Sequence, residues 1–383
     1  MVEVMNKMGY DAAAIGNHEF DFKVDTLNKR LQQMNFPLLS ANIVEKGTEN
    51  IPAFAKPYII KEAAGIKIGI IGLSSLSTPH TTFPDYVADY EFTPYDEAID
   101  KYAPMAQNEG AEIIIIIGHI CKNEMEGLVN TAKKYDIPLI GGGHCHQTVL
   151  ETVDNVLLVQ SGAEMRAYVK VQLQYHGSGK SAEIISTEVV QNQGGTPDTE
   201  VQAIVGYWQT KTQEALSEEI GYCSESIGES SVAMSNLVCD SWLQTFPDAD
   251  VSITNSGGIR QDIDQGTINL ATIVGLLPFQ NTIYELDLTG TELIDCIDNY
   301  LIGGMTTIGG YSLADGTQIY ADTVYSVLTT DYLYSADGDF SKYDPEPDNT
   351  SVNYRQPLID MIKSLNTNSQ NPLNNYLDNT RRR

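Results

Sequence analysis

DAAAIGNHEFDF, residues 11–22, decides how the N-terminal half of the chain is read. An apolar run from Ala12 to Ile15 stops at Gly16, and Asn17, His18, Glu19 and Asp21 follow at once. A buried strand that breaks at a glycine into polar side chains is how open α/β sheets build sites at the carboxyl edge of their strands. Asn17 offers a neutral oxygen, His18 a nitrogen, and Asp21 a negative charge able to orient an imidazole. Taken alone, these residues also admit the weaker reading of an Asx-type turn capping the next helix. Two further stretches shift that balance. Gly118-His119 ends a run of isoleucines over 113–117, and GGGHCH over 141–146 follows another apolar segment. His18, His119, His144 and His146 thus each stand just after a predicted buried strand, whereas His80 and His176 fit no such pattern.

The 383 residues suffice for two or three domains with sizeable cores. A net charge of −28 and a pI near 4.4 argue strongly against a general binder of nucleic-acid polymers, which needs a basic face. They leave room for a small anionic substrate, since metal ions and one arginine make a site locally positive. The five cysteines, Cys121, Cys145, Cys223, Cys239 and Cys296, are odd in number and share no paired spacing, which argues against a disulfide framework. Cys145, between two histidines, reads either as a soft metal ligand or as a filler. No apolar run reaches transmembrane length, and no signal peptide is read in these residues. Met1 opens directly into what looks like the last turns of an amphipathic helix, so a preceding portion of the protein is expected.

Residues 1–192 alternate strand and helix. The spacing predicts helices over 24–35, 94–108 and 124–135. Strands are predicted over 37–41, 58–61, 66–71, 111–117, 137–140, 156–160, 167–174 and 182–189. QNQGGTP over 191–197 is a polar linker, after which Asp198 caps a long helix running to about Glu219. The second half contains a helix over 235–245, a strand over 251–254, the loop NSGGIR over 255–260 and the segment LLPFQN over 276–281. A strand over 284–288, a helix over 291–301, a strand over 325–329 and a helix over 357–365 follow. The remainder, rich in asparagine, is expected to be a disordered tail.

Histidine and asparagine ligands around an open position suit Zn²⁺, Mn²⁺ or Fe²⁺ better than Mg²⁺ or Ca²⁺, which prefer all-oxygen shells. A histidine beside such a site, braced by an aspartate three residues on, suits an acid or charge stabiliser in phosphoryl transfer. His18 and Asp21 have that relation.

On these residues the chain resembles the bacterial 5′-nucleotidase / UDP-sugar hydrolase family. GNHEFD, the strand-end Gly-His and GGGHCH look like the third, fourth and fifth motifs of calcineurin-like metallophosphoesterases. NSGGIR, LPFQN and the TDYL segment (330–333) resemble motifs of the family's second domain. The resemblance covers nearly all of residues 1–365. It implies an α/β fold, α+β overall: a metallophosphoesterase β-sandwich flanked by helices over 1–192, and a linker with an interdomain helix over 193–220. A second α/β domain that binds substrate follows over 221–365, and 366–383 is the tail.

The same resemblance implies two divalent metal ions, Zn or Mn, in the complete enzyme. Asn17, His119 and His144 resemble ligands of one ion, and His146 a ligand of the other. His18 with Asp21 matches the catalytic pair. Asn255 and Arg260 match the groups holding the substrate, and Phe279 and Tyr332 match a two-ring clamp on a base. Either Asp337 or Asp339 meets a ribose.

The expected activity is hydrolysis of nucleotide phosphate esters. Hydrolysis of 2′,3′-cyclic nucleotides or 3′-nucleotides, hydrolysis of a nucleotide-sugar, and nucleotide binding without turnover remain open. The expected partner is a nucleotide or nucleotide-sugar, not a nucleic-acid polymer, and the expected location is the periplasm, cell surface or medium. The family's Asp-x-His and Gly-Asp motifs have no counterpart in this sequence and are expected before Met1. An arginine usual near the start of the 235–245 helix is also absent from GESSVAMSNL (228–237).

Overall fold

The computed structural model describes residues 1–177, 182–297, 299–336 and 338–383. The chain divides into two compact units, Met1–Gly206 and Tyr207–Arg383. The division falls inside the helix Thr199–Leu216, whose first turn is capped as expected. Asp198 Oδ1 accepts from the backbone N–H groups of Glu200 and Val201.

The first unit is built on a six-stranded sheet in the order Tyr58–Ala63, Ile66–Ser74, Ile113–His119, Leu139–Gly141, Val156–Ser161, Thr148–Val153. The four inner strands run parallel, and each edge strand pairs antiparallel with its neighbour. Parallel strands covered on both faces read as continuous apolar runs, which is why the isoleucines at 113–117 sit here. The helix Tyr95–Asn108 lays Ile99, Ala103 and Ala106 onto Ile71, Ile114 and Ile116.

The short parallel pair Ala13–Ala14 and Leu38–Leu39 forms a second layer. It approaches the main sheet so closely that a Cβ on Gly72 would lie 2.3 Å from the Leu39 Cβ. A buried polar cluster ties the layers: Ser74 Oγ donates to the Ile15 carbonyl at 2.8 Å and to Ser40 Oγ at 3.0 Å. Ser74 is also the ladder partner of His119. The carbonyl that precedes Gly16-Asn17 is therefore pinned beside the strand position of His119.

Two expectations for this unit change. The predicted helix over 124–135 is two short helices, Lys122–Gly127 and Val129–Lys134, interrupted where a glycine weakens the run. The strands Ala167–Gln174 and Glu183–Gln191 form their own two-stranded ribbon rather than extending the main sheet.

The second unit has a five-stranded sheet in the order Leu301–Gly303, Val251–Thr254, Val324–Thr330, Thr282–Thr289, Asp348–Asn353. The helices Val232–Thr245 and Gln356–Leu365 pack in one core, around the fully buried Trp242. A second core gathers Val251, Leu286, Leu293, Val327 and Phe340. The helix predicted over 291–301 ends at Cys296, because Leu301 and Ile302 pair with Thr254 and Ile253 at the sheet edge.

Residues 366–383, expected as a disordered tail, are folded against this unit. Leu373 is fully buried, and Asn236 Nδ2 donates to the carbonyls of Asp378 and Thr380. The Arg382 guanidinium grips both oxygens of Asp240 at 2.6 and 2.7 Å. The asparagines that suggested disorder bond to distant parts of the chain instead: Asn374 Oδ1 accepts from the backbone N–H of Ser224.

Candidate metal centre and substrate-binding edge

Three strand ends of the first unit meet at one point. Asn17 is buried, and its Nδ2 donates to the Thr81 carbonyl at 2.7 Å, which turns Oδ1 toward His119. Asn17 Oδ1 lies 3.0 Å from His119 Nε2, and His144 Nδ1 lies 3.1 Å from the same nitrogen. Gly16 makes this possible, since a Cβ there would sit 3.0 Å from the His119 ring. Burial, reinforced by the charges of His144, His18 and His146, pushes the His119 imidazole down to about 4. Burial also lowers His144, against the opposing influence of Glu124.

At neutral pH both rings are therefore neutral. The three facing atoms offer lone pairs, with room for one ring proton among them at most. Such a set fits one divalent cation of the borderline kind held by nitrogen and neutral oxygen. It contains no carboxylate, and among the described residues no three His, Cys, Asp or Glu side chains form a group able to hold a metal. The structure thus gathers Asn17, His119 and His144. His146 stands exposed farther along the loop; His119 and His144 feel its charge, but it shares in none of these close contacts.

Beside this cluster, His18 Nδ1 and Asp21 Oδ2 are 2.8 Å apart, and Thr82 Oγ1 donates to the other Asp21 oxygen at 3.2 Å. Ionised Asp21 can only accept, so the proton of this contact sits on His18 Nδ1. The expected pairing of His18 with Asp21 is present as a contact.

Cys145 is neither a ligand nor a filler. It forms a disulfide with Cys121, with the two Cα atoms 5.3 Å apart and a sequence separation of 24. A spacing of this length carries no motif. The pair forms because the neighbouring parallel strands Ile113–His119 and Leu139–Gly141 deliver their ends side by side. The loop it joins is held flat by Gly142, where a Cβ would lie 2.8 Å from the Ile120 carbonyl. It also places His144 (φ 64°) and His146 (φ 56°) in the left-handed region, which costs a residue with a Cβ about 1–2 kcal/mol.

In the second unit the strand directions bring the other candidates to one sheet edge. Asn255 follows Val251–Thr254 and Tyr332 follows Val324–Thr330, two parallel strands. Phe279 precedes Thr282–Thr289, which runs antiparallel to the second of them, with Ile283 opposite Thr330. Arg260 is exposed, and its backbone N–H donates to the Leu276 carbonyl at 2.9 Å. Asp339 is exposed in the short helix Gly338–Tyr343, 3.7 Å from Lys342 Nζ. Asp337 lies outside the described residues.

Sequence reasoning missed two residues on this edge, Tyr354 and Arg355. Thr282 pairs with Asn353, so the chain reaches the same edge again at 354. The Phe279 backbone N–H donates to the Tyr354 hydroxyl at 3.1 Å, and Arg355 Nη2 donates to the Phe279 carbonyl. Among the described residues, the Arg355 Nε–H is buried without an acceptor. Burial pushes the Tyr354 hydroxyl up, while the charges of Arg355 and Arg260 pull it down. Two guanidinium groups therefore act on one ring. NYRQP carries no motif that marks Arg355; only the strand pairing does.

Comparison with known proteins agrees with the motifs. Residues 208–312 match the family described as "5'-nucleotidase, C-terminal domain". The chain is 26% identical over 387 residues to "Endonuclease YhcR" of Bacillus subtilis, covering 90% of this chain and 31% of that protein. It is 26% identical over 352 residues to the 5′-nucleotidase of Vibrio cholerae, covering 77% of this chain and 62% of that protein. The crystal structure of a 5′-nucleotidase precursor from Thermus thermophilus superposes with a TM-score of 0.80 at 19% identity, over 95% of this chain and 83% of that one. The chain spans less than two-thirds of these curated relatives' own length. Its fold is that of the 5′-nucleotidases, and its sequence is similar to theirs.

Proposed function

From this kinship with the 5′-nucleotidases, we propose that the protein hydrolyses phosphate esters of nucleotides with the help of a divalent cation. The observation that carries the reading is the convergence of Asn17 Oδ1, His119 Nε2 and His144 Nδ1 beside the His18–Asp21 pair. A Zn²⁺ or Mn²⁺ ion held by those three residues would supply electrophilic pull on phosphate oxygens and a more acidic bound water. The family resemblance adds a second ion, with His146 among its ligands.

In this reading Asp21 fixes the His18 ring by its Nδ1–H, and His18 Nε2 faces the phosphoryl group to hold or deliver a proton as charge develops. Arg260 binds an anionic oxygen through its forked donors, with Asn255 beside it. Phe279 and Tyr332 stack on the base, and Asp339 or Asp337 meets the ribose. Arg355 adds a second positive charge on the same edge and steadies the Phe279 backbone. A mononucleotide is the substrate proposed here. The likeness to a protein named an endonuclease makes a polynucleotide the sharpest competing substrate, and the charge of −28 speaks against it.

A second reading is nucleotide binding without turnover. It is favoured by the lack of a carboxylate in the donor set. Phosphate release from AMP, measured with Mn²⁺ and after chelation, separates the two readings. Release that depends on metal supports the enzyme, whereas AMP binding with no release supports the binder. The location proposed is outside the reducing cytoplasm, where the Cys121–Cys145 disulfide would persist.

A further inference from the structure

We propose that the Cys121–Cys145 disulfide is the positioning element of the histidine cluster, and that a dithiol reductant releases it. The inference rests on the reading of Asn17, His119 and His144 as a cation site. Its two ends differ in a way that suits a latch. Cys121 is the fixed end. It is buried, its backbone N–H donates to Glu124 Oε2 at 2.7 Å, and Glu124 Oε1 accepts from the Tyr95 hydroxyl at 2.6 Å. Cys145 is the movable end, exposed between His144 and His146 on a loop whose two histidines occupy the left-handed region.

Little else holds that loop over the cluster. His144 Nδ1 shares one hydrogen bond with His119 Nε2, its direction set by the tautomer, and its Nε2 reaches Ser77 Oγ only at 3.5 Å. Gly142 and Gly143 are bonded through their backbone N–H groups to Val159 and Ile120, but from residue 144 on the covalent tie to the strand end of His119 is the disulfide. A covalent link between neighbouring loops restricts the conformations open to the chain between them. Here it restricts the approach of His144 to His119.

Cys145 is the exposed residue of the pair, so a thiolate attack would begin there. The Sγ–Sγ bond breaks, and two electrons and two protons pass from the dithiol. Cys121 and Cys145 become thiols, and the dithiol becomes its own cyclic disulfide. Cys223, Cys239 and Cys296 are thiols already and offer a dithiol nothing to reduce, so it acts at the Cys121–Cys145 pair.

The test uses the whole chain, once as isolated and once after native reduction by a dithiol and desalting under argon, with Cys121→Ser/Cys145→Ser as a third sample. Thiol titration of the denatured, unreduced chain should find three thiols; five would overturn the assignment. Amide exchange over residues 142–147 should speed at least tenfold on reduction and in the double variant, while 113–117 stays unchanged. Mn²⁺ titrated calorimetrically should bind at least tenfold more weakly in both. Unchanged exchange over 142–147 in the reduced chain would overturn the positioning role. Faster exchange together with no Mn²⁺ binding in any sample would uphold that role and overturn the cation-site reading.

Discussion

The histidine cluster of the first unit and the arginine edge of the second solve opposite electrostatic problems. The cluster is buried and kept neutral: burial holds His119 near 4, and its neighbours are an amide and a second imidazole. The edge keeps its charges. Arg260 is exposed, and Arg355 stays pinned by the Phe279 carbonyl with one buried N–H unanswered. A site for a cation needs lone pairs without protons, whereas a site for an anion needs permanent positive charge. In a chain of net charge −28, a few well-placed arginines matter more than the total.

If the two regions divide the work as proposed, mutations should separate turnover from binding. Replacing His18 by Ala should lower phosphate release by about 10²–10⁴-fold, the range for a positioned acid or base, and leave AMP affinity unchanged. Equal losses in both would break the division. Replacing Arg260 by Ala should do the reverse. AMP binding measured by calorimetry should weaken roughly 10- to 100-fold, matching about 1.5–3 kcal/mol for a charge-assisted hydrogen bond. Replacing Phe279 by Ala should remove stacking worth about 1–3 kcal/mol, read as weaker binding of AMP but not of inorganic phosphate.

The pH dependence sharpens the same contrast with a smaller effect. His119 is depressed in the fold, to about 4 from an ordinary 6.5, so the unfolded chain binds its proton first as pH falls. Its contribution to stability is therefore fully present above 6.5 and is lost progressively as pH falls toward 4. Denaturant unfolding across that interval should show a shallower slope in His119→Asn, by up to about one proton per molecule. A slope equal to that of the unmodified chain would mean His119 is not held neutral.

Much of the first unit was legible because its signals are local. An apolar run broken by glycine marks Asn17, His119 and His144; parallel strands place the last two breaks on one edge, and Asn17 reaches them from the second layer. The disulfide was not legible. Cys121 and Cys145 are joined by strand adjacency, and the sequence offers only an odd cysteine count. Arg355 was hidden for the same reason, since the antiparallel pairing of Thr282 with Asn353 alone delivers it to Phe279. The ordered end of the chain shows the limit of composition. Asparagines typical of disorder become bonded once Leu373 and Arg382 find partners far away in sequence.

The most direct test of metal-assisted phosphoester hydrolysis is inorganic phosphate release from AMP by residues 1–383 with added Mn²⁺, run beside His18→Ala and beside a chelated control. Release that requires Mn²⁺ and falls at least a hundredfold in the variant is the predicted result. Release that persists unchanged in His18→Ala, or no release from the unmodified chain while AMP still binds, would contradict it.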